Sequence, residues 1–317
     1  MQLWLENRQT GQMVEITGAC VEIQLCHKRN NGASVLDVTW LCEEVFFENG
    51  CTIRLTDGQQ CAFHGRLFRW SRSSDGLVHL HAYDQLRYLK AKDTMLLQGR
   101  SLASLLREMC RVFQLKAGTM EDPPGLVQDE MLVGQTLLDI LYRKIAEVQR
   151  LTGKAYILRD EDGAICLRAE DSLHLPLLLA DETTCLSYEV ERDIDRDTCN
   201  RVVLAHESIV FGMRKVYETA DAQQTQQYGV LQYYQRVNQN LTSAQIRAIG
   251  ENLLAEKKGE RYRISLSAIS DLSVQGGSVI GVTLDGLGQG LYRVLQVTHR
   301  LQSGRETMEL EVENIAG

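Results

Sequence analysis

Between Cys20 and Tyr83 the apolar residues recur at every second position: Val21, Ile23 and Leu25; Leu36, Val38 and Trp40; Ile53 and Leu55; Val78, Leu80 and Ala82. A period of two puts successive side chains on opposite faces, so such segments bury one face only as strands. Asn30-Asn31-Gly32, Asp57-Gly58 and Ser74-Asp75-Gly76 supply the turns between them. Residues 1–95 are therefore expected to form an antiparallel β-domain.

The period then changes. Leu102, Leu105, Leu106, Met109 and Phe113 follow the spacing of an amphipathic helix, with Ser101 placed to cap it. After the break Pro123-Pro124-Gly125, Leu137, Leu138, Leu141, Ile145 and Val148 form a second stripe, capped by Thr136 with Asp139 and stopped at Gly153. A hairpin follows, from Ala155 to Leu158 and from Ile165 to Arg168, turning at Asp160-Glu161-Asp162-Gly163. Residues 96–180 read as a mixed α/β domain.

From Ser187 to Gln235 the pattern is again strand-like. A third helix, around residues 242–258, starts at Thr242 with Gln245 returning the cap bond. It buries Ile246, Ile249, Leu253 and Leu254, and Gly250 on the same face implies a close backbone approach. Tyr262, Ile264, Leu266 and Ala268 alternate, as do Leu291, Arg293, Leu295 and Val297 in part, and Met308, Leu310 and Val312 clearly. Residues 181–317 are expected to be a second β-domain. The fold class is α+β and mainly β: two antiparallel β-barrel-like domains flanking a mixed α/β domain.

A net charge of -8 with scattered basic residues lacks the basic face that phosphate recognition needs, so specific nucleic-acid binding is not expected. The basic run Lys257-Lys258-Gly259-Glu260-Arg261-Tyr262-Arg263 is broken by an acid and reads as a solvated helix end before a strand. The stretch MQLWLENRQTGQMVEIT carries an early acid and no continuous apolar run, unlike a secretory leader, and no segment has the roughly 18 apolar residues of a membrane helix. The 9 cysteines lack paired CxxC spacing and read as reduced, mostly buried side chains.

No chemical motif completes itself. Cys61 and His64, with His79 and His81 nearby, offer zinc-type donors, but positions i and i+3 of a strand face opposite ways unless a bulge intervenes. Asp193-Ile194-Asp195-Arg196-Asp197 opens like a calcium loop, yet Thr198 and Leu204 stand where its Gly and Glu belong. Gly286-Leu287-Gly288-Gln289-Gly290 precedes a strand, not a phosphate-binding helix, and Gly277-Ser278-Val279-Ile280-Gly281 misses the spacing of a nucleophile elbow. Cys26 and His27 are adjacent in a strand, so their side chains diverge. Aromatic residues at 6% are thin for a sugar-binding groove. No catalytic residue, metal or cofactor is assigned.

Four stretches carry a resemblance. AYDQLRYLKAKDTM at Ala82–Met95, SYEVERDIDRDTCNRVVL at Ser187–Leu204, YGVLQYYQRVNQNL at Tyr228–Leu241 and THRLQSGRETMELEV at Thr298–Val312 are together similar to segments of the XkdQ-type hub proteins of PBSX-like prophages and related contractile tails. The matching positions are Tyr83, Asp84, Arg87, Tyr88, Asp195, Asn200, Gly229, Leu231, Gln232, His299 and Met308. Glu306 departs from the family, which often has His before Thr-Met, and Cys20–Cys61 matches loosely.

The resemblance implies a non-enzymatic baseplate hub of a phage tail or a phage-tail-like bacteriocin, a homotrimer whose two β-domains per subunit adapt a sixfold tail tube to a threefold spike. Implied partners are the tail tube protein, the central spike protein, the tape-measure protein, and baseplate wedge or LysM-type baseplate proteins. The motif positions would be structural, and lumen-facing positions would be acidic rather than basic. Such a chain would be made in the bacterial cytoplasm, built into the particle and released on lysis. The alternatives are a tail-associated peptidoglycan hydrolase or a cell-wall-binding module.

Overall fold

The computed structural model describes residues 1–30, 32–41, 45–125, 127, 129–180, 183–208, 213–238 and 240–315. Asn31 of the first expected turn and Cys42 therefore lie outside the described residues.

The first region contains β1 (Gln2–Glu6), β2 (Met13–Glu15), β3 (Cys20–Lys28), β4 (Val35–Leu41), β5 (Thr52–Asp57), β6 (Gln60–Arg72) and β7 (Leu77–Tyr83). A mixed region follows: β8 (Lys92–Leu97), α1 (Leu102–Val112), β9 (Lys116–Met120), β10 (Glu130–Thr136), α2 (Leu137–Thr152), β11 (Tyr156–Glu161) and β12 (Ala164–Ala169). Then come β13 (His174–Ala180), β14 (Cys185–Asp193), β15 (Arg201–Ser208), β16 (Met213–Ala220), α3 (Ala222–Tyr228), β17 (Gln232–Val237) and α4 (Ser243–Lys257). The chain closes with β18 (Arg261–Ile269), β19 (Val279–Leu284), β20 (Gly288–Gln302) and β21 (Arg305–Asn314).

The expected helix signals act as written. Ser101 accepts the Ser104 amide, Thr136 accepts the Asp139 amide, and Thr242 and Gln245 form a reciprocal capping box. Gly153 ends α2 in the left-handed conformation at φ 72°. Gly250 lets α4 sit close to β15 and β16, since an added Cβ would lie 3.0 Å from Thr219 Oγ1 and 3.6 Å from Leu204 Cδ1.

Three expectations change. First, the β-regions are not closed barrels: the described strands of both ends join one open 13-stranded sheet along the order β14-β18-β21-β20-β3-β4-β7-β6-β5-β1-β2, with β19 pairing β20 and β13. The join is the antiparallel ladder β20–β3, from Gln296 opposite Lys28 to Gln302 opposite Glu22. Second, bulges shift the alternation. The break between Cys20 and Glu22 turns Val21 out to 48% exposure, and in β20 a break at Val294/Gln296 buries Tyr292, Val294 and Val297 while Leu291 is 55% exposed.

Third, the segment read as continuous strand before α4 is a separate small unit. β16-β15-β17 form their own sheet, with α3 between β16 and β17, and pack Val202 and Leu204 against Ile246, Ile249 and Leu253 of α4. This unit is inserted between β14 and β18, which pair with each other. Each half of the chain thus couples a β-region to an α/β unit, and α2 of one unit packs on α4 of the other.

A buried ion triad ties three regions together. Glu170, after β12, accepts Arg29 Nη2 at 3.1 Å and Arg293 Nη2 at 2.8 Å, with Arg29 following β3 and Arg293 lying in β20. The two carboxylate oxygens are thereby divided between the two β-regions.

Candidate functional site

The stretch Ala82–Met95 forms the junction between the first β-region and the mixed region. Asp84, 1% exposed, follows β7; its Oδ1 accepts the Leu86 amide at 2.9 Å and caps a 3-10 helix, Gln85–Lys90, while Oδ2 accepts the Ser34 amide at 2.8 Å. Asp160 of β11 approaches from the other side, accepting the amides of Gln85 at 3.3 Å and Gly163 at 2.7 Å. Burial raises the Asp84 carboxyl to about 6. Burial, and then the charge of Asp84, raises Asp160 to about 8. At neutral pH the pair therefore holds one proton.

Outside this buried pair sits an aromatic cluster. The Arg87 guanidinium lies 5.5 Å from the Phe68 ring centre and 5.6 Å from that of Tyr83, and Tyr88 leans on Phe68 at 5.7 Å. His81 meets the Tyr83 ring edge-on at 4.7 Å and bonds Asp37.

The second and third stretches converge at one clasp. Asn200, fully buried, donates Nδ2–H to the Gly229 carbonyl at 2.7 Å and accepts the Leu231 amide on Oδ1 at 2.9 Å. Gly229 has φ 75°, a conformation that favours glycine. Gln232 then opens β17 opposite Arg201. Asp195 is exposed in an acidic turn whose Asp193 carboxylate accepts the Asp195 and Arg196 amides. From the fourth stretch, Met308 lies in the core, and His299, 1% exposed, bonds the Val274 carbonyl through Nε2 and Ser270 Oγ through Nδ1. Burial holds this imidazole below its usual pKa.

The bulge opposite Leu55 and Thr56 corrects the reading of Cys61 and His64. It sets Ala62 out of register, so that Cys61 and His64 share a face; the Cys61 thiol donates to the Phe63 carbonyl at 3.4 Å, while His64 Nδ1 lies 3.1 Å from Asp162 Oδ1. Arg54 Nη2 donates to that oxygen at 2.8 Å, filling the centre with a guanidinium. Burial pushes the Cys61 thiol up to about 11, so it stays protonated. Among the described residues no group of three or more His, Cys, Asp or Glu side chains could hold a metal ion, and no helix is long and apolar enough to cross a membrane.

What remains is a surface. Eight consecutive strands of the large sheet, β14-β18-β21-β20-β3-β4-β7-β6, show one face packed on the cores and one polar face. Cross-strand rows on the polar face read Ser187, Ser267, Glu309, Thr298 and Cys26, or Glu189, Ser265, Glu311, Gln296 and Lys28. Arg300 is spent on Glu22 at 3.2 Å and Arg263 on Glu311 at 3.2 Å. A shallow cleft of about 520 Å³ runs over Ser187, Glu189, Ser265, Ser267, Glu309 and Glu311.

Among curated proteins, the phage-like element PBSX protein XkdQ of Bacillus subtilis (strain 168) is 26% identical over 237 residues, 73% of this chain and 71% of that protein. YqbQ of the same strain is 25% identical over 237 residues, with the same shares. Among solved structures, the tail protein from Neisseria meningitidis MC58 has a TM-score of 0.74 at 15% identity, covering 99% of this chain and 96% of that one. The 43 kDa tail protein of prophage MuSo2 from Shewanella oneidensis has a TM-score of 0.70 at 12% identity, covering 98% of each. These two share the fold. The YQBQ-like family model matches residues 23–313, and the chain belongs to that family.

Proposed function

We propose that the chain is the hub of a contractile-tail baseplate, a structural subunit that joins the tail tube to the central spike. The observation that carries this reading is the continuous polar face of eight strands built from both ends of the chain. A face rich in hydroxyls, amides and acids, on which Arg263 and Arg300 are paired with Glu311 and Glu22, suits the wall of a passage, because a passing polymer meets little unpaired positive charge. In this reading residues 1–95 and 181–317 are the two tube-like β-domains, 96–180 is the α/β domain, and three copies surround the axis. The partners are the tube protein, the spike protein, the tape-measure protein, and wedge or LysM-type baseplate proteins. The chain is made in the bacterial cytoplasm and leaves with the particle on lysis.

A non-enzymatic role is supported by the state of the chemically promising groups. The raised carboxylates Asp84 and Asp160 are locked into backbone amides, with Asp84 1% exposed, and Glu170 is held between two arginines. His27 is buried beside Ser34 rather than paired with Cys26. Mixing the purified chain with tube and spike subunits tests the proposal. Particle mass should rise to a defined complex containing both, whereas a chain that binds neither would refute it. Clearing of cell-wall substrate by the chain would favour the hydrolase instead.

A further inference from the structure

The small sheet β16-β15-β17 ends on an open strand: β17 pairs with β15 on one side and, among the described residues, with no strand on the other. Such an edge presents unpaired backbone N–H and C=O groups, which another extended chain can satisfy. A cleft of about 540 Å³ opens between this strand and α2. Its size falls in the range of about 300–1,000 Å³ that ligand sites occupy.

Four consecutive residues, Gln235, Arg236, Val237 and Asn238, border the cleft. Successive side chains of a strand point to opposite faces, so a run of neighbours borders one cleft only along the strand's edge. The facing wall is α2, where Val148 and Leu151, three residues apart, share one side of the helix. Leu241 and, from α4, Ile249 add further apolar surface. Charge then narrows the occupant. Arg150 also borders the cleft and forms no ion pair among the described residues, whereas the acid beside it, Glu147, already holds Lys144 Nζ at 2.8 Å. An apolar groove with an unanswered guanidinium and a row of unpaired backbone groups matches an extended backbone that carries apolar side chains and a carboxylate.

We propose that this cleft is a docking groove for an extended segment of a partner protein. The segment adds to the small sheet as a fourth strand along the free edge of β17, lays an apolar side chain against Val148, Leu151 and Ile249, and sets an Asp or Glu carboxylate against Arg150. Backbone pairing supplies the grip, and the apolar and acidic side chains supply the choice of partner. The small sheet is separate from the large sheet with the polar face, so the groove and the hub reading can fail independently.

Selection of random dodecapeptides on the whole immobilised chain tests it. Enriched sequences should place a leucine-, valine- or phenylalanine-type residue near an Asp or Glu. Binding of such a peptide should slow hydrogen exchange at alternate amides of β17 and leave β16 unchanged. Arg150→Glu should weaken the peptide about tenfold without moving the urea midpoint, and a peptide with Lys in place of its acid should prefer R150E to the original chain. Recovery of no binding sequence, peptides indifferent to R150E, or binding that leaves β17 exchange as it was would overturn the groove. So would slowed β17 exchange in the chain alone that grows with its concentration, which assigns the edge to a second copy. Dodecanoate that fills the cleft and resists displacement by every selected peptide would assign it to a small amphiphile and equally refute the proposal.

Discussion

Replacing Asp160 with Asn should remove a pH dependence of stability that this carboxyl creates. In the folded chain Asp160 keeps its proton up to about 8, whereas an unfolded aspartate loses it near 3.8. The folded state thus binds the extra proton, and stability falls as pH rises toward 8. Between pH 6 and 8, where Asp84 has already titrated at about 6, roughly one proton is held by the folded state alone, a loss of about 2–3 kcal/mol over the two units.

His27 and His299 act in the opposite sense. Burial lowers both, so the unfolded chain takes up protons near 6.5 that the folded one refuses, and stability rises with pH through that region. The original chain's own slope is therefore a compromise. The difference between it and D160N isolates the carboxyl: Asn retains an acceptor for Gly163 N–H and forfeits the 3.3 Å bond from Gln85 N–H, a cost that does not vary with pH. Urea unfolding of both proteins at pH 6, 7 and 8 should give a difference that shrinks by about 2–3 kcal/mol with rising pH. A difference constant within about 0.5 kcal/mol would refute a proton held by Asp160 in this range.

Glu170→Gln leaves Arg29 and Arg293 buried around an uncharged amide, and should cost about 3–5 kcal/mol; calorimetry should show the single heat-absorption peak broadening or splitting as the regions uncouple. Asn200→Asp turns the donor facing the Gly229 carbonyl into an acceptor, and should cost about 2–3 kcal/mol, with faster proteolytic cleavage near Tyr228–Leu231. Gly250→Leu forces a side chain toward Thr219 and Leu204 and should lose about 1–3 kcal/mol by urea unfolding. Gly250→Ala should lose far less, because its better helix propensity of about 1 kcal/mol offsets the 3.0 Å contact.

The parts of the fold legible in the sequence are those where local and tertiary demands agree. Ser101, Thr136 and Thr242 cap helices because their own backbone geometry asks for it, and α2 buries the stripe its spacing describes. α3 escaped because AQQTQQY has no apolar stripe and buries no residue. The ribbon of β8 and β10 escaped because it points Leu96, Met131 and Val133 outward at 63–66% exposure, reversing the usual inference from alternation. Bulges were invisible since one extra residue moves every later side chain to the other face. Lys144 is fully buried on a helix face because Glu130 and Glu147 meet its ammonium at 3.0 and 2.8 Å, and Glu130 comes from another strand. The β20–β3 ladder and the Glu170 triad join residues far apart in the chain, and no local pattern encodes such a meeting.

Several positions that carry the resemblance are hard to replace for a physical reason. Asp84, Asn200 and His299 are each at most 1% exposed and satisfy buried hydrogen-bond partners, and Met308 fills the core. A buried polar group that loses its partner costs more than the bond it made, so these positions have few substitutes within this fold. Glu189 and Arg69, by contrast, are exposed, so a change there costs the monomer little.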